Sequence, residues 1–418
     1  MPTTRIDLTD PVLVADPYPS FAEERRRQAV AWHEPSGRWL TFDHAAANAV
    51  LRHRRLGRIW HDREPRDRFE PFNLLHRNQM MENEPPDHTR LRRLVAGAFA
   101  RGHVDRLRPR VQELAVTLLD EVDPAGFDVL GEYAEPLPVL VIAELLGVPR
   151  ELAPQLREWS QAIVRMYEVA PTEQEQDAAV VAATDFAGLV RELARERAAS
   201  PRDDLLSDLV AARVSTGSTG GGGSTGGGGS TGGGGSTGGR LSEDEVVASA
   251  VLLLNAGHEA SVNVFGNGLV AMLARGVEPA PAEVVTCVEE MLRFDPALQL
   301  FERTATDDVL IGEVTVEKGQ RIAALLGAGN RDPAVFADPD RFDPTRDPNP
   351  HLAFGAGLHF CLGAPLARME LAESLALLLR RMPGLRLVEE PVSRGTFVLR
   401  GYTSVPVGTA TPATGKGS

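Results

Sequence analysis

Cys361 sits in a glycine-rich stretch, Phe354-Gly355-Ala356-Gly357-Leu358-His359-Phe360-Cys361-Leu362-Gly363, and the apolar run Ala364-Pro365-Leu366-Ala367-Arg368-Met369-Glu370-Leu371 follows at once. A thiolate at the mouth of a helix is stabilised by unpaired backbone N–H groups and by the positive end of the dipole. Its soft sulfur is a ligand for a soft transition metal or for haem iron. Gly355 and Gly357 permit torsions and close approaches that a side chain would block, and Gly363 lets the helix start lie against a flat cofactor. Phe354, seven residues before the cysteine, is spaced to cover the sulfur and limit water. His359 is placed to donate a hydrogen bond to an anion at the cofactor edge. The plainer reading of one cysteine is a buried, inert thiol. That suits Cys287, but the glycines, the phenylalanine and the histidine argue against it for Cys361.

Three other groupings carry polar chemistry. Glu290 and Arg293, in Glu290-Met291-Leu292-Arg293, fall on one helix face; alone they read as a solvated salt bridge. His88-Thr89-Arg90-Leu91-Arg92 follows the turn Glu84-Pro85-Pro86-Asp87 and alone reads as a capped surface helix. Ala256-Gly257-His258-Glu259-Ala260-Ser261 places an acid and an alcohol inside an otherwise apolar stretch. His258 is off the face of Glu259 by helical spacing, and a lone helical histidine is more often structural.

Together these strings resemble the cytochrome P-450 superfamily, most strongly from Glu290 to Glu370. The resemblance implies a mainly α fold with a small β region, a single-domain helical prism around a buried haem. It implies a b-type haem with Cys361 as the proximal thiolate, and His359, His88, Arg92 and Arg303 as propionate partners. Phe354 and Gly363 border the ring. Glu290 and Arg293 become two members of a structural triad, and Arg341 is the expected third. Gly257 makes room for dioxygen, Glu259 passes protons, and Ser261 is a weaker candidate for the same task. Ala260 departs from the family, where most members have threonine; a methyl group donates no hydrogen bond. Ser261, an ordered water or a substrate hydroxyl would then substitute. Similarity of position suggests a substrate pocket walled by Met80, Met81, Val164, Asn255, Ala256, Ala260, Leu298, Gln299, Thr396 and Phe397, mostly apolar.

The elements that position these residues are mainly helical. Apolar spacing predicts helices over Arg106 to Val122 and Ala178 to Ala198. Ser242-Glu243-Asp244-Glu245 is a serine cap with an acidic first turn, opening a buried central helix that runs to Leu273. Short strand signals lie at Trp39–Phe42, Val309–Ile311 and Arg321–Leu325. After Leu273 the chain reaches the next helix through Ala274 to Pro281, where family members have a longer helical excursion. Residues 215–239 repeat Ser-Thr-Gly-Gly-Gly-Gly without an apolar side chain, a composition that reads as a flexible linker. Signature elements on both sides argue against a domain boundary there, so the expected organisation is one haem-thiolate domain over 1–418, interrupted at 215–239.

The 418 residues carry a formal net charge of −14, with 43% hydrophobic and 24% charged residues. That balance suits a soluble globular protein and disfavours general nucleic-acid binding. Two cysteines exclude a disulfide framework and suit a reducing cytoplasm. No signal peptide or ~18-residue apolar span is visible. The expected protein is a monomeric, cytoplasmic haem-thiolate monooxygenase that oxidises a hydrophobic or mixed small molecule with O2, by family analogy a secondary metabolite. Electrons would come from a ferredoxin and its reductase, so NAD(P)H enters only indirectly. Arg92, Arg93, Arg101 or Arg368 would form the docking patch. The rivals are an atypical haem-thiolate enzyme that couples, cyclises or uses peroxide, suggested by Ala260, and a non-catalytic haem-binding protein.

Overall fold

The computed structural model describes residues 1–212 and 240–409; the repeat at 215–239 lies outside the described residues. Ten helices frame the site: α1 (His44–Arg52), α2 (Arg66–Arg77), α3 (Asp87–Val95), α4 (Arg101–Glu121), α5 (Pro136–Leu146), α6 (Ala153–Val164), α7 (Glu173–Ala199), α8 (Glu243–Leu273), α9 (Val284–Phe294) and α10 (Ala364–Arg381). The helices expected over 106–122 and 178–198 are α4 and α7, each beginning five residues earlier. In α7 the reason is a capping box: Thr172 Oγ1 accepts from the Glu175 N–H, and Glu175 accepts from the Thr172 N–H in return.

The same device starts α8. Ser242 Oγ accepts from the Glu245 N–H at 3.1 Å, and Glu245 Oε2 accepts from the Ser242 N–H at 2.8 Å. Arg90 of α3 then pairs with Glu245 at 2.5 Å, pinning the helix start. The helix is buried along nearly its whole length and packs against α2, α5, α6, α7 and α9. It ends at Leu273, and a single 3-10 turn, Pro281–Glu283, precedes α9. Ala212 O accepts from the Leu241 N–H at 2.9 Å, so the chain on either side of the repeat is already joined.

Six strands form the main sheet, β1 (Thr3–Thr4), β2 (Val30–His33), β3 (Arg38–Thr41), β4 (Leu56–Gly57), β5 (Leu300–Ala305) and β6 (Arg321–Leu325), in the order β1-β2-β3-β6-β5-β4. Alternation along β3 and β6 sorts their side chains between two apolar clusters. Trp39, Ile322 and Ala324 enter one, and Leu40, Ala323 and Leu325 the other. With both faces covered, the sheet is a rigid support for Arg303, which pairs in register with Ile322. Val309–Ile311 forms a separate hairpin with Val314–Val316.

Helix α9 is tied to the segment leading to Cys361 by a fully buried carboxylate. Glu290 accepts from Arg293 Nε and Nη2, both at 2.7 Å, and from the Asp343 N–H at 2.9 Å. The third member of the triad is Arg346, whose Nε lies 3.1 Å from Glu290 Oε2, and not Arg341. Arg341 turns its side chain outward and contributes only its carbonyl, which accepts from Arg293 Nη2 at 3.2 Å. The Arg346 N–H donates to Asp343 O at 3.1 Å, and this turn brings Arg346, five positions after Arg341, to the carboxylate. Asn349 Nδ2 adds a further donor at 3.2 Å. Removing one partner of a buried ion pair strands the other charge. Arg346→Ala should therefore cost about 3–5 kcal/mol of stability, whereas Arg341→Ala should stay within about 0.5 kcal/mol; urea unfolding of the two variants measures both.

Candidate active site

The cysteine loop is shaped by its own backbone. The Cys361 N–H donates to Phe354 O at 2.9 Å, bringing the phenylalanine back to the cysteine. Gly357 has φ +72, and a Cβ there would lie 2.7 Å from Leu51 O, so the loop seats against the end of α1 only with glycine. Burial pushes the Cys361 thiol up; the N–H groups of Gly363 and Ala364 and the charges of Arg92 and Arg368 act in the opposite direction. These are the helix-mouth donors that the sequence anticipated. Cys287 is wholly buried and its thiol is pushed up to about 12, mainly by burial, in keeping with an inert core residue.

Phe354 is braced from below. The Arg368 guanidinium lies 4.5 Å from its ring centre and binds Glu289 through two hydrogen bonds, at 2.6 and 2.9 Å. His351 Nε2 meets the same carboxylate at 3.0 Å. Arg368 is thus a neutralised brace, and not a free member of a docking patch. Arg92 donates to Phe360 O at 2.7 Å, next to the cysteine, and its charge also acts on His88, one of the other expected propionate partners. Arg93 is exposed.

Those other partners do converge. The rings of His88 and His359 are 4.6 Å apart, and His359 Nε2 meets Glu84 Oε1 at 2.8 Å. Arg303, 1% exposed, stacks 4.6 Å from the Phe301 ring centre, with Arg58 4.7 Å from the same ring. Burial, reinforced by Arg58, lowers the Arg303 guanidinium to about 9. Burial, with His359 and Arg92 adding to it, lowers His88 to about 4, so it is neutral near pH 7. Neither Arg303 Nη2 nor His88 Nδ1 has a protein partner although both are buried. A buried cation with a spare donor is relieved by an anion. Sequence reasoning missed Arg58, which has no local signal, and treated Glu84 only as part of a turn. A hollow of about 550 Å³ opens beside this group, lined by Arg58 to Asp62, Arg77 and Glu82 to Glu84.

In α8 the open positions are Ala256 and Ala260, one turn apart and exposed on a helix that is otherwise buried. Gly257 is not part of that face. A Cβ on it would lie 3.1 Å from Ile142 Cγ1, so the glycine serves close packing of α8 on α5. Its position about a quarter-turn from Ala256 is the reason. Glu259 is 5% exposed and Ser261 is buried. Glu259 Oε2 accepts from Arg394 Nη1 at 3.2 Å, and Oε1 lies 3.3 Å from His258 Nε2. His258 therefore does meet Glu259, contrary to the spacing argument. Arg394 was missed because nothing local marks it; a signal did exist in the polar residues Asn255, Glu259, Asn263 and Asn267, set four apart in an apolar helix.

The expected pocket wall divides. Asn255 lines a narrow cleft with His76, Gln79, Ile163, Tyr167 and Leu252. Met80 and Met81 are half-buried, and Val164 is buried at the end of α6. Leu298 pairs with Leu399, and Thr396 Oγ1 donates to Leu399 O at 2.7 Å. Gln299 and Phe397 are corrections. Gln299 is fully buried, and its Nε2 donates to Pro296 O at 2.8 Å just before β5. Phe397 packs edge-on against Phe21, 6.2 Å between ring centres, in the core of the N-terminal sheet. Both were placed by position in the chain, which does not say which way a side chain points.

Residues 284–383 match the family model for cytochrome P450. Nocardicin C N-oxygenase of Nocardia uniformis subsp. tsuyamanensis is 38% identical over 414 residues, covering 95% of this chain and 96% of the relative. The 6-deoxyerythronolide B hydroxylase of Saccharopolyspora erythraea is 34% identical over 430 residues, covering 97% and 99%. Among solved structures, P450BioI in complex with an acyl carrier protein bearing hexadec-9Z-enoic acid superposes with TM-score 0.85 at 29% identity, covering 96% of this chain and all of that one. The chain belongs to the cytochrome P450 superfamily and is an oxidoreductase of the P450 monooxygenase type, whose cofactor is a haem with a thiolate ligand. The residues present fit that group: the helix-mouth donors at Cys361, the unpartnered Arg303 and His88 atoms, the clear space beside Gly363 and the small-residue face of α8. No helix among the described residues is long and apolar enough to cross a membrane.

The brace under Phe354 has a pH signature. Burial pushes the Glu289 carboxyl up, but hydrogen bonds from His351 and Arg368 outweigh it and hold it at about 2, against an ordinary 4.5. A depressed carboxyl contributes stability above its unfolded value and loses it as pH falls toward the folded value. Glu289→Gln should lower stability by up to about 3 kcal/mol near pH 7. The gap from wild type should narrow below about pH 4.5, as denaturant unfolding across that range would show.

Proposed function

We propose that Cys361 would hold a b-type haem through its thiolate, and that this single haem domain, with 215–239 as an insertion, oxidises a hydrophobic or mixed small molecule of secondary metabolism. The observation that carries the proposal is the Cys361 sulfur facing the N–H groups of Gly363 and Ala364 at the mouth of α10. The two named relatives, a nocardicin oxygenase and a 6-deoxyerythronolide hydroxylase, support the substrate class. Electrons reach the haem from a ferredoxin and its NAD(P)H-dependent reductase. The haem supplies the redox chemistry that activates dioxygen.

The chain's own residues do the rest. Backbone donors hold the Cys361 sulfur, and Phe354, braced by Arg368, limits water at it. Arg303 and His88 present buried donors to the propionates, with His359 beside them. Ala256 and Ala260 leave the α8 face low enough for a substrate and dioxygen. Glu259 supplies protons near that face, with Ser261 the nearest alcohol in sequence.

A second reading rests on Ala260. With a methyl group on the open face, a coupling, ring-forming or peroxide-driven oxidation is also served by this site. Turnover with ferredoxin, reductase and NADPH, compared with turnover on peroxide alone, separates the two.

Dithionite-reduced protein exposed to carbon monoxide should show the red-displaced Soret band of a thiolate-bound haem. Cys361→Ala should abolish that band, and Arg303→Leu should keep its position while speeding haem loss to an apo-globin acceptor. A band unchanged in Cys361→Ala overturns the assignment.

A further inference from the structure

Helix α8 presents a polar stripe that stitches it to the C-terminal segment 394–401. Arg394 Nη1 donates to Glu259 Oε2 at 3.2 Å and to Asn263 Oδ1 at 3.3 Å. Asn263 Nδ2 donates to Glu259 O at 2.7 Å, and Asn267 Nδ2 to Arg400 O at 3.2 Å. The Arg394 side chain is 10% exposed and that of Glu259 is 6%. The carboxylate is therefore fixed by a guanidinium from another element, in a site largely closed to water.

The other oxygen of Glu259 carries the more telling contact. His258 Nδ1 lies 3.0 Å from Leu254 O, and a carbonyl only accepts, so Nδ1 bears a hydrogen. That leaves Nε2, 3.3 Å from Glu259 Oε1. Both atoms are buried and neither makes a hydrogen bond to the protein, so their contact is one of charge at ion-pair distance. A bare Nε2 would set the negative edge of the ring 3.3 Å from a carboxylate oxygen where the dielectric is low. A proton on Nε2 converts that repulsion into an ion pair. Arg394 on Oε2 keeps the carboxylate charged, which leaves the proton with the imidazole. Glu135, at the start of α5, is the remaining acid facing this pair, and it is itself held by Arg157 of α6 at 2.7 Å.

We infer that His258 and Glu259 hold one exchangeable proton as a buried imidazolium–carboxylate pair, with Arg394 the positioning residue that orients the carboxylate. The use of that proton rests on the proposed role of Glu259; its existence does not. In delivery, the proton passes from Nε2 to the carboxylate and on to an acceptor at the Ala256–Ala260 face. The pair is left as neutral imidazole and carboxylate until water returns a proton to Nε2. A hydroxyl at position 260 is not required for this store.

The test is nitrogen NMR of the 15N-histidine-labelled holoprotein in its reduced, carbon-monoxide-bound state, with His258→Gln to assign the signal. Both ring nitrogens of His258 should be protonated near pH 7. Glu259→Gln should return the ring to the neutral form with Nδ1–H alone. Arg394→Gln should speed exchange of the Nε2 proton with water by about tenfold or more, the worth of one charge-assisted hydrogen bond, and Arg394→Lys should restore slow exchange. A bare Nε2 in the wild type, or an Nε2 proton that persists in Glu259→Gln, overturns the inference. The Soret band of the same sample reports separately on the thiolate, so failure of the haem assignment is distinguishable.

Discussion

The position of the cysteine depends on a carboxylate that has no access to water. Glu290 collects the guanidinium of Arg293 from its own helix and that of Arg346 from the approach to the cysteine loop, together with the Asp343 N–H and the Asn349 amide. A buried charge tolerates little displacement of its donors, because each lost donor leaves charge uncompensated. Arg293 extends the hold to the carbonyls of Asn330, Pro339 and Arg341. The stretch from Asn330 to Asn349, irregular for much of its length, is thereby fixed against α9. Leu352 then enters the loop with its N–H bound to Asn330 Oδ1 at 2.7 Å.

From that anchor the two sides of the site use opposite physics. On the sulfur side, polarity comes from backbone N–H groups and from arginines that are already engaged, Arg92 with Phe360 O and Arg368 with Glu289. Arg368 is neutralised there by Glu289, while Arg92 is bound to a carbonyl and keeps its charge beside the sulfur. On α8, a small-residue face at Ala256 and Ala260 lies next to a polar stripe that binds the C-terminal segment. The central helix is therefore both the floor of a space and the spine to which residues 394–401 are attached. Between these sides, Arg303 and His88 are kept buried with unused polar atoms, a costly arrangement in any protein that does not bind an anion there.

Much of this was legible in the chain because it is local. The serine cap of α8, the glycine loop around Cys361, and the Glu290–Arg293 pair each depend on residues within a few positions of one another. Their torsions and spacings are properties of short segments. The strand at Arg321–Leu325 was readable for the same reason, as a short local signal. Resemblance extended the reading to His88, Arg303 and His359, which come from distant segments and do assemble near Glu84.

What the sequence alone determined was which side chains are available for the proposed chemistry: a thiol at a helix mouth, an acid in an apolar helix, and cationic or imidazole groups to face an anion. Only the tertiary structure decided which partner each one meets. Arg346 replaces Arg341 because the turn at Asp343 brings it to the carboxylate. Gln299 and Phe397 belong to the core, Gly257 faces α5, and Glu259 is held by an arginine 135 residues away. A side chain's direction follows from how its element packs, and packing is settled by contacts between segments that share no local pattern.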